Sequence, residues 1–236
     1  MPKVRLYLDH PFAPGEAVPL APEQGHYLVS VMRLGAGATV LAFNGRDGEW
    51  EAEVERAGKR GGVLRLRDQT RPQATPPDLW LLFAPIKKAR TDFIVEKACE
   101  MGVRRVLPVQ TERTNSERVN AARLRLHAVE AAEQCGNTFV PEVAELQPLT
   151  RALDSLGERR LWFCDEALAD GAAPTPAATG APGAVLVGPE GGFSEAERAR
   201  LKAVAQPVRL GPRILRADTA AVAALALWQA TEGDWR

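Results

Sequence analysis

The sequence predicts an α/β protein in two parts: a small β-rich segment, then a mostly parallel sheet covered on both faces by helices. Three observations carry this. Short, strand-like apolar runs separated by turn pairs occupy residues up to Asp68, and Gln69–Asp78 (QTRPQATPPD) follows with three prolines and no apolar residue but Ala. Beyond Asp78, apolar runs alternate with stretches of helical period, the pattern of strands joined by covering helices. The boundary falls in the proline-rich stretch, giving a β domain over 1–70 and an α/β domain over 71–236.

In the first part Val4–Leu8, Thr39–Phe43, Trp50–Val54 and Val63–Leu66 read as strands, with Pro14-Gly15, Asn44-Gly45 and Gly61-Gly62 as turns. Asn44-Gly45, with Asp47-Gly48 behind it, marks a tight hairpin. One helix is expected at Pro22–Arg33, where Tyr27, Leu28 and Val31 share a face. In the second part Leu79–Ala84 is a continuous apolar run, as a strand buried on both faces requires. Thr91–Met101 is helical and stops at Gly102. Val103–Val109 is a strand, Glu117–Gln134 a long helix ending at Gly136, and Arg160–Cys164, Ala184–Val187 and Val208–Leu210 are strands. Asp218–Ala230 closes the chain as an Ala-rich helix suited to close packing, within one chain or between two. Ala167–Gly183, rich in Ala, Pro and Gly, reads as an exposed loop.

Composition narrows the function classes. The 236 residues are 45% apolar and carry 30 basic and 30 acidic side chains, which argues against a strongly nucleic-acid-binding chain. The distribution is uneven, because Pro85–Arg125 holds ten Lys or Arg against five acids. That excess reads either as a track for a phosphate backbone or as a solvated helix face with paired charges. Cys99, Cys135 and Cys164 form no CxxC pair, and His10, His26 and His127 are scattered, so neither disulfide framework nor metal site is expected. No stretch is long and apolar enough for a membrane span and the amino terminus lacks a signal sequence, so the expectation is a soluble cytoplasmic protein.

Two echoing stretches carry the chemistry. AVLVGPEGGFSEAE (Ala184–Glu197) and VRLGPRILRADTAA (Val208–Ala221) each run from strand through a Gly/Pro turn into a helix, the arrangement from which α/β proteins build ligand sites. Gly188, Gly191 and Gly192 are expected to give the first turn backbone freedom, and Ser194-x-x-Glu197 to form a capping box. It is neither a P-loop nor a GxGxxG turn. In the second stretch Asp218 or Thr219 is placed to cap the last helix, and Arg213 and Arg216 precede it. Singly, each turn reads as no more than a tight connection; their pairing after strands expected to be neighbours raises both.

GPEGGFS with Glu197, then LGPRILR with Thr219-Ala220, resembles the RsmE family of bacterial small-subunit ribosomal RNA methyltransferases, in the knotted SPOUT superfamily. His26, Arg33 and Asn44-Gly45 are similar to residues of that family's PUA-like RNA-binding domain. Glu96-Lys97 with Glu100–Val103 resembles its K..ELGV helix end, Glu112-Arg113 its ER pair, and Glu133–Cys135 with Pro141 its EQ segment. Asp218 stands where the family has Glu, and Asn137 where it has Arg.

The resemblance implies a SPOUT-type parallel sheet with a trefoil knot behind a PUA-like β-barrel domain. It implies methyl transfer from S-adenosyl-L-methionine to N3 of a uridine of 16S rRNA in the 30S subunit, by a homodimer. The cofactor site it implies comprises Leu186, Gly188, Pro189, Glu190, Gly191, Leu210, Gly211, Leu215, Thr219 and Ala220. RNA contacts are expected from Arg33, Lys87, Lys88, Arg90, Arg113 and Arg213. Arg216 is expected to hold the target nucleotide and stabilise developing negative charge, with Glu190 a candidate proton acceptor. Competing readings are a knotted methyltransferase for another RNA and a non-catalytic RNA-binding or assembly factor.

Overall fold

The structure is a computed structural model that describes residues 4–116, 118–165 and 178–235. The chain separates into two units, Met1–Thr75 with Ala132–Val140, and Pro76–Ala131 with Pro141–Arg236.

The first unit is a five-stranded sheet. Its strands are β1 (Arg5–Tyr7), β2 (Ala17–Leu20), β3 (Thr39–Phe43), β4 (Glu49–Gly58) and β5 (Gly61–Arg71), in the order β1-β3-β4-β5-β2. The β3·β4 pair is the expected hairpin. Asn44 makes its turn: the side-chain oxygen accepts from the amides of Arg46 and Asp47, while Nδ2 donates to the Asp47 carboxylate. Alternate residues bury Leu6, Val40, Ala42, Ala52, Val54, Leu64 and Leu66 in one core. Strand β5 runs to Arg71, into the stretch read as linker, because Thr70 and Arg71 both bond Glu49. The helix expected at Pro22–Arg33 splits. A short α1 (Pro22–His26) continues as a π-helical turn, Tyr27–Val31. It ends at Arg33, exposed and with φ of 56°; Val31 and Met32 are exposed beside it.

Residues 132–140 group with this unit through Arg5. Its guanidinium donates to the carbonyls of Ala132 and Glu133, orphan acceptors in the last turn of a helix, and to that of Asn137 just beyond it, and Arg71 donates to Gly136 O. Between the two arginines lies Glu49, 4% exposed, 2.8 Å from Arg5 and 2.6 Å from Arg71.

The second unit is a parallel sheet. Its strands are β6 (Leu79–Phe83), β7 (Arg105–Gln110), β8 (Glu142–Val143), β9 (Gln147–Pro148), β10 (Arg160–Cys164), β11 (Gly183–Val187) and β12 (Gln206–Val208). The order is β12-β10-β11-β6-β7-β8, with β9 also on β7. Helices α2 (Lys88–Glu100), α3 (Ala121–Cys135), α4 (Leu149–Asp154), α5 (Glu195–Val204) and α6 (Ala217–Thr231) accompany it. The long helix thus begins at Ala121; its expected start, Glu117, and residues 166–177 of the expected Ala167–Gly183 loop lie outside the described residues. Strand β11 is buried at every position, as its unbroken apolar run requires. The apolar face of α6 is used within the chain: Ala220, Ala221, Ala224 and Trp228 are buried, α6 meets α2, and Gln229 donates to Met101 O.

Near the carboxyl end, Glu232 accepts from the amides of Thr179 and Gly180, each at 2.8 Å, and pairs with Arg160. Burial pushes its carboxyl up, but these bonds and the Arg160 charge outweigh burial and hold it below the ordinary value. Glu49 behaves alike: burial raises it, Arg71 and Arg5 lower it further, and the net shift is downward from 4.5. A carboxyl depressed in the fold contributes stability that is fully present above its unfolded value and is lost as pH falls through the folded one. Urea unfolding should therefore show wild type losing stability below about pH 4.5, with a shallower acid dependence in Glu49→Gln. That variant should also be about 2–3 kcal/mol less stable at neutral pH, since Arg5 keeps a buried, half-compensated charge. An equally steep acid dependence in the variant would contradict this role for Glu49.

Candidate functional site

Parallel strands present a crevice at their carboxyl ends, and here three converge. β10 lies between β11 and β12, so the two turns do not follow adjacent strands as expected; the end of β10 separates them. All three ends open on a cavity of about 270 Å³. Cys164 and Asp165 come from the end of β10, Val187–Glu190 from β11 and its turn, Val208, Leu210, Gly211 and Arg213–Arg216 from β12 and the turn after it, and Ala217 and Ala220 from α6.

The first turn is closed by a hydrogen bond from Gly192 N to Pro189 O, 2.9 Å, which leaves Glu190 and Gly191 at its corners. Its three glycines are not equivalent. Gly192 alone has positive φ, 66°, and needs glycine for backbone reasons. At Gly188 a Cβ would lie 2.6 Å from the buried Phe193 ring, whereas at Gly191 it would meet only Arg113, at 3.6 Å. The capping box forms as read: Ser194 N donates to Glu197 Oε2 and Glu197 N to Ser194 Oγ. The other Glu197 oxygen accepts from the amide of Glu112, and Arg113 donates to Gly191 O, each at 2.9 Å. From α2, Arg90 donates to Glu190 at 3.1 Å and lies 3.7 Å from Asp218.

The second turn has Gly211 at φ of 92°. Neither Asp218 nor Thr219 caps α6. The N-cap is Arg216, with extended backbone and no side-chain capping bond, while Asp218 sits inside the first turn and accepts from Thr219 N. The side chain at the cap position thus takes none of the main-chain N–H groups that open α6, beside a wall formed by Ala217 and Ala220. Aliphatic walls and exposed main chain suit a flat heterocycle held by backbone bonds.

The charged groups sort by partner. Asp165, with 1% of its side chain exposed, meets the Arg198 guanidinium at 2.8 and 3.0 Å. Burial pushes the Cys164 thiol up to about 12, so it faces the cavity as a neutral group. Arg213 and Arg216 are exposed and their guanidiniums have no partner among the described residues.

Of the residues expected at the cofactor, Gly188, Pro189, Glu190, Leu210, Gly211, Leu215 and Ala220 line the cavity, as do Arg213 and Arg216; Leu186, Gly191 and Thr219 do not. Leu186 is buried within β11 and Thr219 is exposed on α6. Of those expected at RNA, Lys87 and Lys88 are exposed at the start of α2, and Arg90 and Arg113 are engaged in the bonds above. Arg33 lies in the first unit. Cys164, Asp165, Val187, Val208, Ile214 and Ala217 also line the cavity and were not expected there. Cys164 and Asp165 could have been found only from the strand order, because nothing in RLWFCD marks that end as central. Among the described residues no group of three or more His, Cys, Asp or Glu could hold a metal, and no helix is long and apolar enough to cross a membrane.

The RNA methyltransferase domain family matches residues 73–229, and the RNA methyltransferase PUA domain family residues 20–67. Ribosomal RNA small subunit methyltransferase E of Rickettsia conorii is 28% identical over 94% of this chain and 93% of its own. The protein of that name from Synechocystis is 30% identical over 89% and 71%. A crystal structure of ribosomal RNA small subunit methyltransferase E from Neisseria gonorrhoeae, bound to S-adenosyl methionine, superposes with a TM-score of 0.86 at 28% identity, over 99% of this chain and all of that one. With both domains matched in sequence and the full length matched in fold, the chain belongs to the ribosomal RNA small subunit methyltransferase E family.

Proposed function

We propose that this protein transfers a methyl group from S-adenosyl-L-methionine to N3 of a uridine of 16S rRNA in the 30S subunit. The observation that carries the reading is the cavity at the ends of β10, β11 and β12, walled by main chain and aliphatic groups, with Arg213 and Arg216 on its wall and without partners among the described residues. Gly188–Glu190, Leu210, Gly211 and Leu215 would hold the adenosyl moiety, and S-adenosylmethionine supplies an electrophilic methyl whose bonding pair leaves with sulfur. The target N3 must lose its proton and approach in line, so positioning contributes much of the rate. Arg216 orients the uridine and stabilises negative charge developing on it. Glu190 is the candidate to accept the proton, and it would have to do so while bonded to Arg90. The trefoil knot, the homodimer and the cytoplasmic location are part of the same proposal.

Calorimetric titration with S-adenosylmethionine should show binding by the isolated protein. Incubation with unmethylated 30S subunits should yield 3-methyluridine by nucleoside mass spectrometry. Naked 16S rRNA should react poorly, because a chain of zero net charge gains little from phosphates alone and depends on a shaped site. Absence of cofactor binding would overturn the enzymatic reading in favour of a binding or assembly factor; methyl incorporation elsewhere than N3 of uridine would overturn the substrate.

A further inference from the structure

We propose that Arg90 and Arg113 are positioning residues of the cofactor turn, each gripping one corner of the Pro189–Gly192 turn from outside the cavity. The inference rests on the reading of that cavity as the S-adenosylmethionine site. Within its own segment the turn is closed by the Gly192-to-Pro189 bond, and both corner residues, Glu190 and Gly191, are exposed. Their restraint comes from elsewhere in the chain. Arg113 takes the Gly191 carbonyl and Arg90 the Glu190 carboxylate. Arg90 also faces Asp218, so one guanidinium lies against both the first turn and the start of α6.

The Arg113 side is itself rigid. Thr114 N donates to Thr111 O and Thr111 N to Thr114 Oγ1, closing residues 111–114 into a turn. The Glu112 amide in that turn bonds Glu197, which also forms the capping box after the cofactor turn. The cofactor turn is therefore fixed to residues 111–114 both at its corner and at the helix that follows it. Because Arg113 acts on a main-chain carbonyl, the geometry it fixes is that of the backbone, the part that would hold the adenosyl group. Both arginines are also expected RNA contacts, and the two roles make opposite demands on an experiment without RNA.

Cofactor titration without RNA on Arg113→Ala and Arg90→Ala decides between them. Arg113→Ala should weaken S-adenosylmethionine binding about tenfold, the equivalent of one charge-assisted hydrogen bond. Arg90→Ala should weaken it by about threefold, since its partner Glu190 is half exposed. Arg113→Lys, which retains a donor but not the fork, should fall between Arg113→Ala and wild type. Amide exchange at Gly192 and Phe193 in the cofactor-free protein should accelerate in Arg113→Ala with its melting temperature unchanged, while affinity for 30S subunits stays within about twofold. Unchanged cofactor affinity and exchange, with weakened subunit binding, would overturn the proposal and restore the RNA role. If wild type bound no S-adenosylmethionine but Arg113→Ala still accelerated exchange, the functional reading would fail and the bracing of the turn would stand.

Discussion

Arg216→Ala is expected to lower the rate of methyl transfer by roughly 10²–10³-fold, the range seen when one preorganised donor to developing charge is removed. Affinity for S-adenosylmethionine should remain within about twofold. The expectation follows from what Arg216 does and does not touch. It sits at the N-cap of α6 through its backbone, which the substitution leaves in place. Its side chain is exposed on the cavity wall and has no partner among the described residues. Among the described residues no ion pair depends on its charge, so truncation should leave the cavity standing. Arg198 is the contrast: its half-buried guanidinium is committed to the buried Asp165 in a two-bond fork, and its removal would strand a carboxylate inside the cavity. Arg216→Lys should recover only part of the lost rate, because an ammonium offers charge without the planar fork. Single-turnover methylation of 30S subunits, with calorimetry on the same samples, separates the two parameters. Loss of cofactor binding in Arg216→Ala would show that the residue shapes the site and does not act on the nucleotide.

What could be read beforehand was whatever local chemistry decides. Ser194-x-x-Glu197 and Asn44-Gly45 specify their own hydrogen bonds within four residues, and both formed as read. The apolar run Leu79–Ala84, read as a strand buried on both faces, forms β6, buried at every position but Trp80. Where a residue's partner lies far along the chain, sequence was silent or misleading. Arg113 and Gly191 are 78 residues apart; Arg90 and Glu190 are 100 apart. In isolation such arginines are free cations, and a basic stretch invites a phosphate. The third wall of the cavity was invisible for a related reason: the placement of β10 between β11 and β12 is decided by sheet order, which strand-like residues do not encode locally. The cap of α6 was misplaced because Asp218, a good capping residue, is drawn into the first turn beside Arg90. The π-helical turn at Tyr27–Val31 has no periodic signature that separates it from an ordinary helix of the same length.

The glycines of the first turn give the sharpest division between packing and backbone freedom. Sequence treats Gly188 and Gly191 alike; the structure does not. At Gly188 a methyl group would sit 2.6 and 2.9 Å from two carbons of the Phe193 ring. That ring is fully buried and stands edge-on to Phe163, centroids 5.1 Å apart, so it cannot swing aside without disturbing the core beneath β10 and β11. Either the ring moves or the turn lifts, and both change the cavity wall. Gly188→Ala is therefore expected to destabilise the protein by about 2–3 kcal/mol, as overpacking of a filled site does. Displacement of the wall by a fraction of an ångström to one ångström should weaken S-adenosylmethionine binding by roughly tenfold to a hundredfold. At Gly191 the added methyl would find only the Arg113 side chain at ordinary contact distance, on backbone any residue can adopt. Gly191→Ala should melt with wild type and bind the cofactor within about threefold. Thermal melting and calorimetry on the pair give the comparison directly. If both variants bound as wild type does, the turn would not be the cofactor wall; if both failed alike, backbone freedom at position 191 would matter and the packing account of this turn would be wrong.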